Sequence, residues 1–109
     1  MVLLDREENP KEVFEELTRL GINTYVSYVE GPDDVPNMLL ELGQLLGLET
    51  NARKLADAVQ EEIAICQQGT GPVVLPMIWH EPLMAVSPQK YSGALLETCG
   101  FRIPDIEPN

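Results

Sequence analysis

At 109 residues, 44% of them apolar, the chain holds enough material for one small hydrophobic core. Eighteen acidic residues face seven basic ones, giving a net charge of −11 with no basic run. That balance excludes a surface tracking nucleic-acid phosphates and disfavours anionic membranes, while favouring solubility and cationic partner surfaces.

Residues 2–4, Val-Leu-Leu, read as the end of a buried strand, and 5–9 as a polar loop. A helix follows. Asn9 is placed to cap it, Pro10 suits the first helical position, and Glu12 approximates a capping box. Val13, Leu17 and Leu20 share one face with Phe14 beside them, and Gly21 supplies the stop. Residues 22–29, rich in β-branched and aromatic side chains, read as the next strand. Strand, helix and strand in such close succession form a βαβ unit, with parallel strands and a right-handed crossover. Parallel sheets are normally covered on both faces, so more chain is expected around a lone pair.

Gly31-Pro32-Asp33-Asp34 make a turn and a helix entry, with the cap at Asp33 or Asp34 and Pro36 in the first turn. Val35, Met38, Leu39, Leu42, Leu45 and Leu46 recur at helical spacing, the clearest stripe in the chain, and Gly47 ends it. A second helix, capped by Thr50, is expected to run to about Gln68. Its seam is Ala52, Leu55, Val59, Ile63 and Cys66. Arg53 and Lys54 near its start, with Glu61 and Glu62 later, oppose the helix dipole, so this helix relies on packing.

Gly69-Thr70-Gly71-Pro72 read as a turn, and residues 73–78 as a second buried strand in which Pro76 marks an edge or a bulge. That apolar stretch falls far short of the roughly 20 residues of a membrane-spanning helix. Residues 79–90 are expected as a loop. A last helix covers about 89–98, packing Ala94, Leu95 and Cys99, with Gly100 as its stop. The tail, 101–109, contains Pro104 and Pro108 and no periodicity. Cys66 and Cys99 sit among apolar residues at helix-core positions, which favours buried structural thiols over a disulfide or a metal site. The apolar part of residues 1–4 is too short for a signal peptide, so either the protein stays inside the cell or the front of a longer chain is absent.

Ligands of open parallel sheets collect outside the carboxyl ends of the strands, where two loops qualify. Asp5-Arg6-Glu7-Glu8 follows the first strand, and Trp79-His80-Glu81-Pro82 follows residues 73–78. An acidic helix entry is also plainly stabilising, which gives Glu7 and Glu8 a structural reading. Trp79 is equally suited to line a pocket or to cap the sheet end within the core. His80 is the single histidine; no second His follows His80-Glu81, so a zinc-protease signature is absent and metal binding is not expected. Ser27, Ser87 and Ser92 lack a nucleophile-elbow context, and neither a P-loop nor a dinucleotide fingerprint occurs.

Four segments in order carry a family likeness. The first is Val2-Leu3-Leu4-Asp5-Arg6-Glu7-Glu8-Asn9, and the second Leu20-Gly21-Ile22-Asn23-Thr24-Tyr25-Val26. The third runs from Leu39 to Gly47 and on into a helix over 52–65. The fourth is Ile78-Trp79-His80-Glu81-Pro82-Leu83-Met84-Ala85-Val86 with Tyr91-Ser92-Gly93-Ala94-Leu95-Leu96 and Cys99-Gly100. Their order and spacing resemble the helical-backbone substrate-binding proteins of ABC importers, the cobalamin-binding or metal-receptor-like group. The chain departs from that pattern at Leu83, where an aromatic is common, at Ser87, near which a Gly is usual, and at Gly100-Phe101-Arg102.

The resemblance implies an α/β fold of two lobes, built on parallel-sheet βα units and joined by a long helical connector. Residues 1–30 would end the amino-terminal lobe, 31–68 form the connector and 69–109 begin the carboxyl-terminal lobe, as a middle portion of such a protein. It implies non-catalytic capture of cobalamin, haem or a ferric siderophore between the lobes, delivery to an importer permease, and a periplasmic or extracytoplasmic location. Neither an intrinsic cofactor nor a metal site is implied. Asp5, Arg6, Glu7, Trp79, His80 and Leu83 would border the cleft, with Tyr91 a further candidate.

Two other classes compete. An acidic interaction module would present the amphipathic central helices to another protein, and an enzyme would need a His80-dependent activity. If lobe contacts are missing, apolar surface is expected to stay exposed, lowering stability or driving self-association.

Overall fold

In the computed structural model, which describes residues 1–67 and 70–105, β1 (Val2–Asp5) and β2 (Thr24–Ser27) pair in parallel across α1 (Lys11–Arg19). The register sets Val2 opposite Thr24 and Asp5 opposite Ser27. This is the expected βαβ unit, with the second strand trimmed to its central residues. Gly21, at φ 71°, ends α1 through paired bonds: the Ile22 N–H donates to the Leu17 carbonyl and the Gly21 N–H to that of Thr18. The helix start differs from expectation. Pro10 holds the cap position, because the Asn9 side-chain oxygen instead accepts the Asp5 N–H at 2.8 Å, and no capping box with Glu12 forms.

A 3-10 turn at Pro32–Asp34 leads into α2 (Val35–Leu46), with Pro36 in its first turn as the sequence requires. Asp34 stands at the cap position, but its carboxylate accepts the Glu30 N–H at 2.9 Å rather than an N–H of α2. Gly47, at φ 70°, then turns the chain directly into α3 (Glu49–Cys66). Only Leu48 separates that glycine from the helix, so Leu48 takes the cap position and Thr50 lies within the first turn without capping it. The expected continuation to Gln68, the Gly69 turn residue and residues 106–109 with Pro108 lie outside the described residues.

α2 and α3 form a helical hairpin whose seam is made of small residues. Gly43 is buried against Ala52, and Ala56, one turn further on, is 2% exposed. A Cβ built on Gly43 would collide with the Ala52 methyl and approach the Leu48 carbonyl oxygen to 3.3 Å. Leu55, which heptad spacing assigns to this seam, is 57% exposed, since so close an approach admits methyls and excludes leucine. Val35, Met38, Leu39 and Leu42 are half-buried, while Leu45 and Leu46 open to solvent. The Tyr25 hydroxyl donates to the Glu41 carboxylate at 2.7 Å and ties β2 to α2. Partial burial, then the Glu41 hydrogen bond and charge, push that phenol up to about 12.

Residues 73–78 are not the buried strand expected from their composition. Val73, Leu75 and Ile78 are exposed, and over residues 73–76 pairing reduces to a parallel bridge between Val73 and Arg102. Pro72 and Pro76 cannot donate to a ladder, which explains the interruption. The chain then forms β3 (Met77–Trp79), paired antiparallel with β4 (Met84–Ala85), with a register slip between Met77 and Trp79. The segment 79–90 therefore contributes a strand rather than loop alone. α4 (Tyr91–Thr98) follows, and Gly100 at φ 91° ends it with the same paired bonds as α1, Phe101 to Leu96 and Gly100 to Glu97. The returning chain lies beside residues 71–74, where the Gly71 N–H donates to the Gly100 carbonyl and that of Val74 to Arg102.

The result is an open α/β assembly. Its radius of gyration is 16.9 Å, against about 13 Å for a compact domain of this length. Its accessible surface is 7994 Å², against roughly 6000 Å² for a folded monomer of this mass. Buried apolar side chains are Leu4, Ala52, Ala56, Val86 and Ile103, and among the described residues no large side chain is fully enclosed. Cys66 and Cys99 are exposed rather than core thiols, and both line an apolar groove of about 420 Å³ between α3 and α4. Among the described residues no helix is long and apolar enough to cross a membrane.

The Gly43 contact generates a prediction in which two effects oppose. Ala in place of Gly gains about 1 kcal/mol of helix propensity. Overpacking against Ala52 costs about 1–3 kcal/mol, and should win. Gly43→Ala is expected to lower the urea midpoint, and Ala52→Gly in that background to recover part of the loss. A rise in the midpoint on Gly43→Ala would show that the seam is loose.

Candidate ligand-binding cleft

The loop after β1 is organised by one carboxylate. Asp5 accepts the Ser27 hydroxyl at 2.6 Å and the backbone N–H groups of Glu7 and Glu8 at 2.9 and 3.2 Å. The Ser27 hydrogen bond, opposed by desolvation and aided by those two backbone donors, holds the Asp5 carboxyl below its ordinary value of 3.8. Asp5 is thus spent on its own loop and on β2. The Arg6 N–H donates to the Ser27 carbonyl at 2.9 Å, and its guanidinium stacks 4.2 Å from the centre of the Tyr28 ring. Asp5 and Arg6 line a hollow of about 270 Å³ on the α1 side, floored by Leu4, Phe14 and Val26.

Glu7 points the other way. Its carboxylate lies 3.8 Å from the Lys90 ammonium at the start of α4, joining the β1 loop to the second α/β portion. Between them opens a cleft of about 300 Å³. Val29, from the end of the first βαβ unit, forms one wall. Ile78 and Met84 from the β3–β4 hairpin form another, and Tyr91 and Ser92 of α4 close it.

The chain around α4 has a local reason for this shape. The Lys90 N–H donates to the Ser87 carbonyl at 3.2 Å, which turns residues 87–90 tightly into the helix. Gly93 permits the turn: a Cβ there would run into the Ser87 carbonyl group and the Pro88 backbone. Ser87 is 2% exposed, and its hydroxyl finds no partner among the described residues. No side chain caps α4, whose cap position is Lys90 itself. The cleft therefore combines apolar walls with one polar end, the composition of small-molecule sites.

Of the residues singled out by sequence, the structure brings Glu7 and Tyr91 together in this cleft. Trp79, His80 and Leu83 stand on the exposed hairpin that forms its rim. Trp79 is 62% exposed and its indole N–H donates to the Glu81 carbonyl at 2.9 Å, while Leu83 is 74% exposed at the hairpin tip. The His80 ring nitrogen is 3.7 Å from the Glu81 carboxylate. Among the described residues, no three metal-ligating side chains converge. Sequence reasoning passed over Val29, Ser87 and Lys90. The Ser87-Pro88 turn followed by the one basic residue near the α4 start was the available signal.

No protein-family model matches the chain, and no curated protein does. The structure is similar to the crystal structure of the periplasmic vitamin B12 binding protein BtuF of Vibrio cholerae, with a TM-score of 0.77 and 13% identity. The match covers 96% of this chain and 46% of that one, so the chain spans about half the length of its structural neighbour. The likeness is one of fold. It bears out the α/β architecture, a small parallel sheet with helices that matches part of a two-lobed binding protein.

The Asp5 arrangement sets a pH dependence. Its folded-state value is depressed, so its contribution is fully present above the unfolded value and fades as pH falls below about 4. Ser27→Ala removes the largest cause. The stability difference between wild type and Ser27→Ala, from urea unfolding at a series of pH values, should be greatest near neutrality and shrink in acid. A difference independent of pH would detach Asp5 from Ser27.

Proposed function

We propose that the chain is part of the substrate-binding component of an ABC-type importer, capturing cobalamin or an iron complex without catalysis. One observation carries this reading: a fold like that of a periplasmic B12-binding protein over 96% of the chain, with a cleft opening between its two α/β portions. On this reading residues 1–30 end the amino-terminal lobe, 31–68 are the connector, and 69–109 begin the carboxyl-terminal lobe. A permease is the partner, and the location is periplasmic or extracytoplasmic. Cobalamin is favoured by the neighbour's ligand, with haem and ferric siderophores as the wider class.

The chemistry of the cleft supports capture rather than turnover. Met84, Ile78 and Tyr91 offer apolar and aromatic contact, and Lys90 beside the open start of α4 offers a polar anchor. About 300 Å³ lies at the small end of ligand pockets. A corrinoid or haem would seat one edge there, with Trp79 and Leu83 on the hairpin rim meeting the part that projects. Asp5 serves this site indirectly, by fixing the loop that presents Glu7.

Equilibrium dialysis against cobalamin, haem and a ferric siderophore tests the reading. One of the three should bind saturably with a dissociation constant on the order of 1 μM, or about −8 kcal/mol. Tyr91→Ala, which removes a wall, should weaken that ligand about tenfold, or ~1.4 kcal/mol. Absence of saturable binding for all three would remove the proposed capture function from this chain.

A further inference from the structure

Cys66 is the last residue of α3, and Cys99 is the residue that ends α4. Both are free and exposed, and both line the apolar groove between the two helices. The end of α3 and the end of α4 thus bring the two thiols into one groove, where the Cys99 thiol is among the groups that shift that of Cys66. They come from segments separated by residues 67–98, so the approach is a product of folding and not of chain proximity.

We propose that Cys66 and Cys99 form a dithiol site for thiol–disulfide exchange, taking a disulfide as co-reactant and closing to a bridge that locks the end of α3 to the end of α4. One protein thiolate attacks a sulfur of the oxidant R–S–S–R, forming a mixed disulfide and expelling R–S⁻. The second protein thiolate attacks the mixed disulfide at the protein sulfur, forming the Cys66–Cys99 bond and expelling the second R–S⁻. The protein loses two protons and two electrons, and the oxidant becomes two thiols.

The fold gives the bridge a consequence. The closed loop contains the exposed β3–β4 hairpin and the start of α4, and both Ile78 and Tyr91 of the cleft lie within it. Cross-linking its ends restricts the unfolded chain most where the folded core is thinnest. Loss of hydration, then the neighbouring Cys99 thiol and the Glu62 carboxylate, push the Cys66 thiol up. Its thiolate fraction therefore grows as pH rises, and closure should quicken in step.

The chain is incubated in buffers of graded oxidised to reduced glutathione ratio, quenched in acid and weighed intact. The expected product is a monomer about 2 Da lighter than the reduced protein, with both thiols gone. Its midpoint of thermal unfolding should rise by at least about 5 °C and fall back on reduction. Cys66→Ser and Cys99→Ser should each take up one glutathione in the same buffers. Wild type carrying two glutathiones, a disulfide-linked dimer, or two thiols surviving where the single variants are modified would each overturn the proposal.

Discussion

The close approach of α2 to α3 at Gly43 is the contact on which the rest of the geometry depends. Helices joined by Gly47 and Leu48 alone must diverge or pack at once, and the Gly43–Ala52 contact decides for packing. The hairpin so formed bears both α/β portions. β2 is tied to α2 through the Tyr25–Glu41 hydrogen bond, and α4 lies across the groove from α3. The Glu7–Lys90 pair across the cleft is about half-exposed on both sides, and such pairs contribute about 1 kcal/mol at most. The cleft is therefore held by the packing around the α2–α3 hairpin and only trimmed by charge.

The open arrangement of the α/β portions around the α2–α3 hairpin explains why the surface exceeds that of a compact domain by roughly a third. Val13 and Phe14 on α1, Leu45 and Leu46 at the end of α2 and Leu55 on α3 all remain open to solvent. The βαβ unit has only two strands, so Leu3 and Val26 lie uncovered on the sheet. This exposure means that the stability of the chain rests on few contacts, among them the Gly43 seam, the Asp5 loop and the three glycine-ended helices.

Helix ends were the most legible part of the sequence. Gly21, Gly47 and Gly100 each adopt a left-handed backbone, and each stands where the apolar periodicity lapses. Helix starts were less legible, because a cap is a competition. Asn9 was claimed by the Asp5 N–H, Asp34 by the Glu30 N–H, and Thr50 was carried into α3 by a connection one residue long. The βαβ unit was legible because its strands and helix differ in period. Residues 73–78 were misread because Pro72 and Pro76 interrupt the row of donors that a continuous ladder needs, whatever the hydrophobicity of the run. The α3 seam was misread because spacing nominates the large Leu55, whereas contact with a glycine selects alanine. Within the cleft, Glu7 and Tyr91 were reachable from the rule that ligands collect beyond strand ends. Ser87 and Lys90 were not, since their placement depends on the turn that Gly93 allows.

Backbone amide shifts of the isotope-labelled chain, followed by nuclear magnetic resonance during titration with cobalamin, test the central claim most directly. The account predicts saturable perturbations concentrated at Glu7, Val29, Met84 and residues 87–92, with the Gly43–Ala56 seam unmoved. Perturbations centred instead on the exposed faces of α2 and α3, or none at saturating ligand, would contradict it.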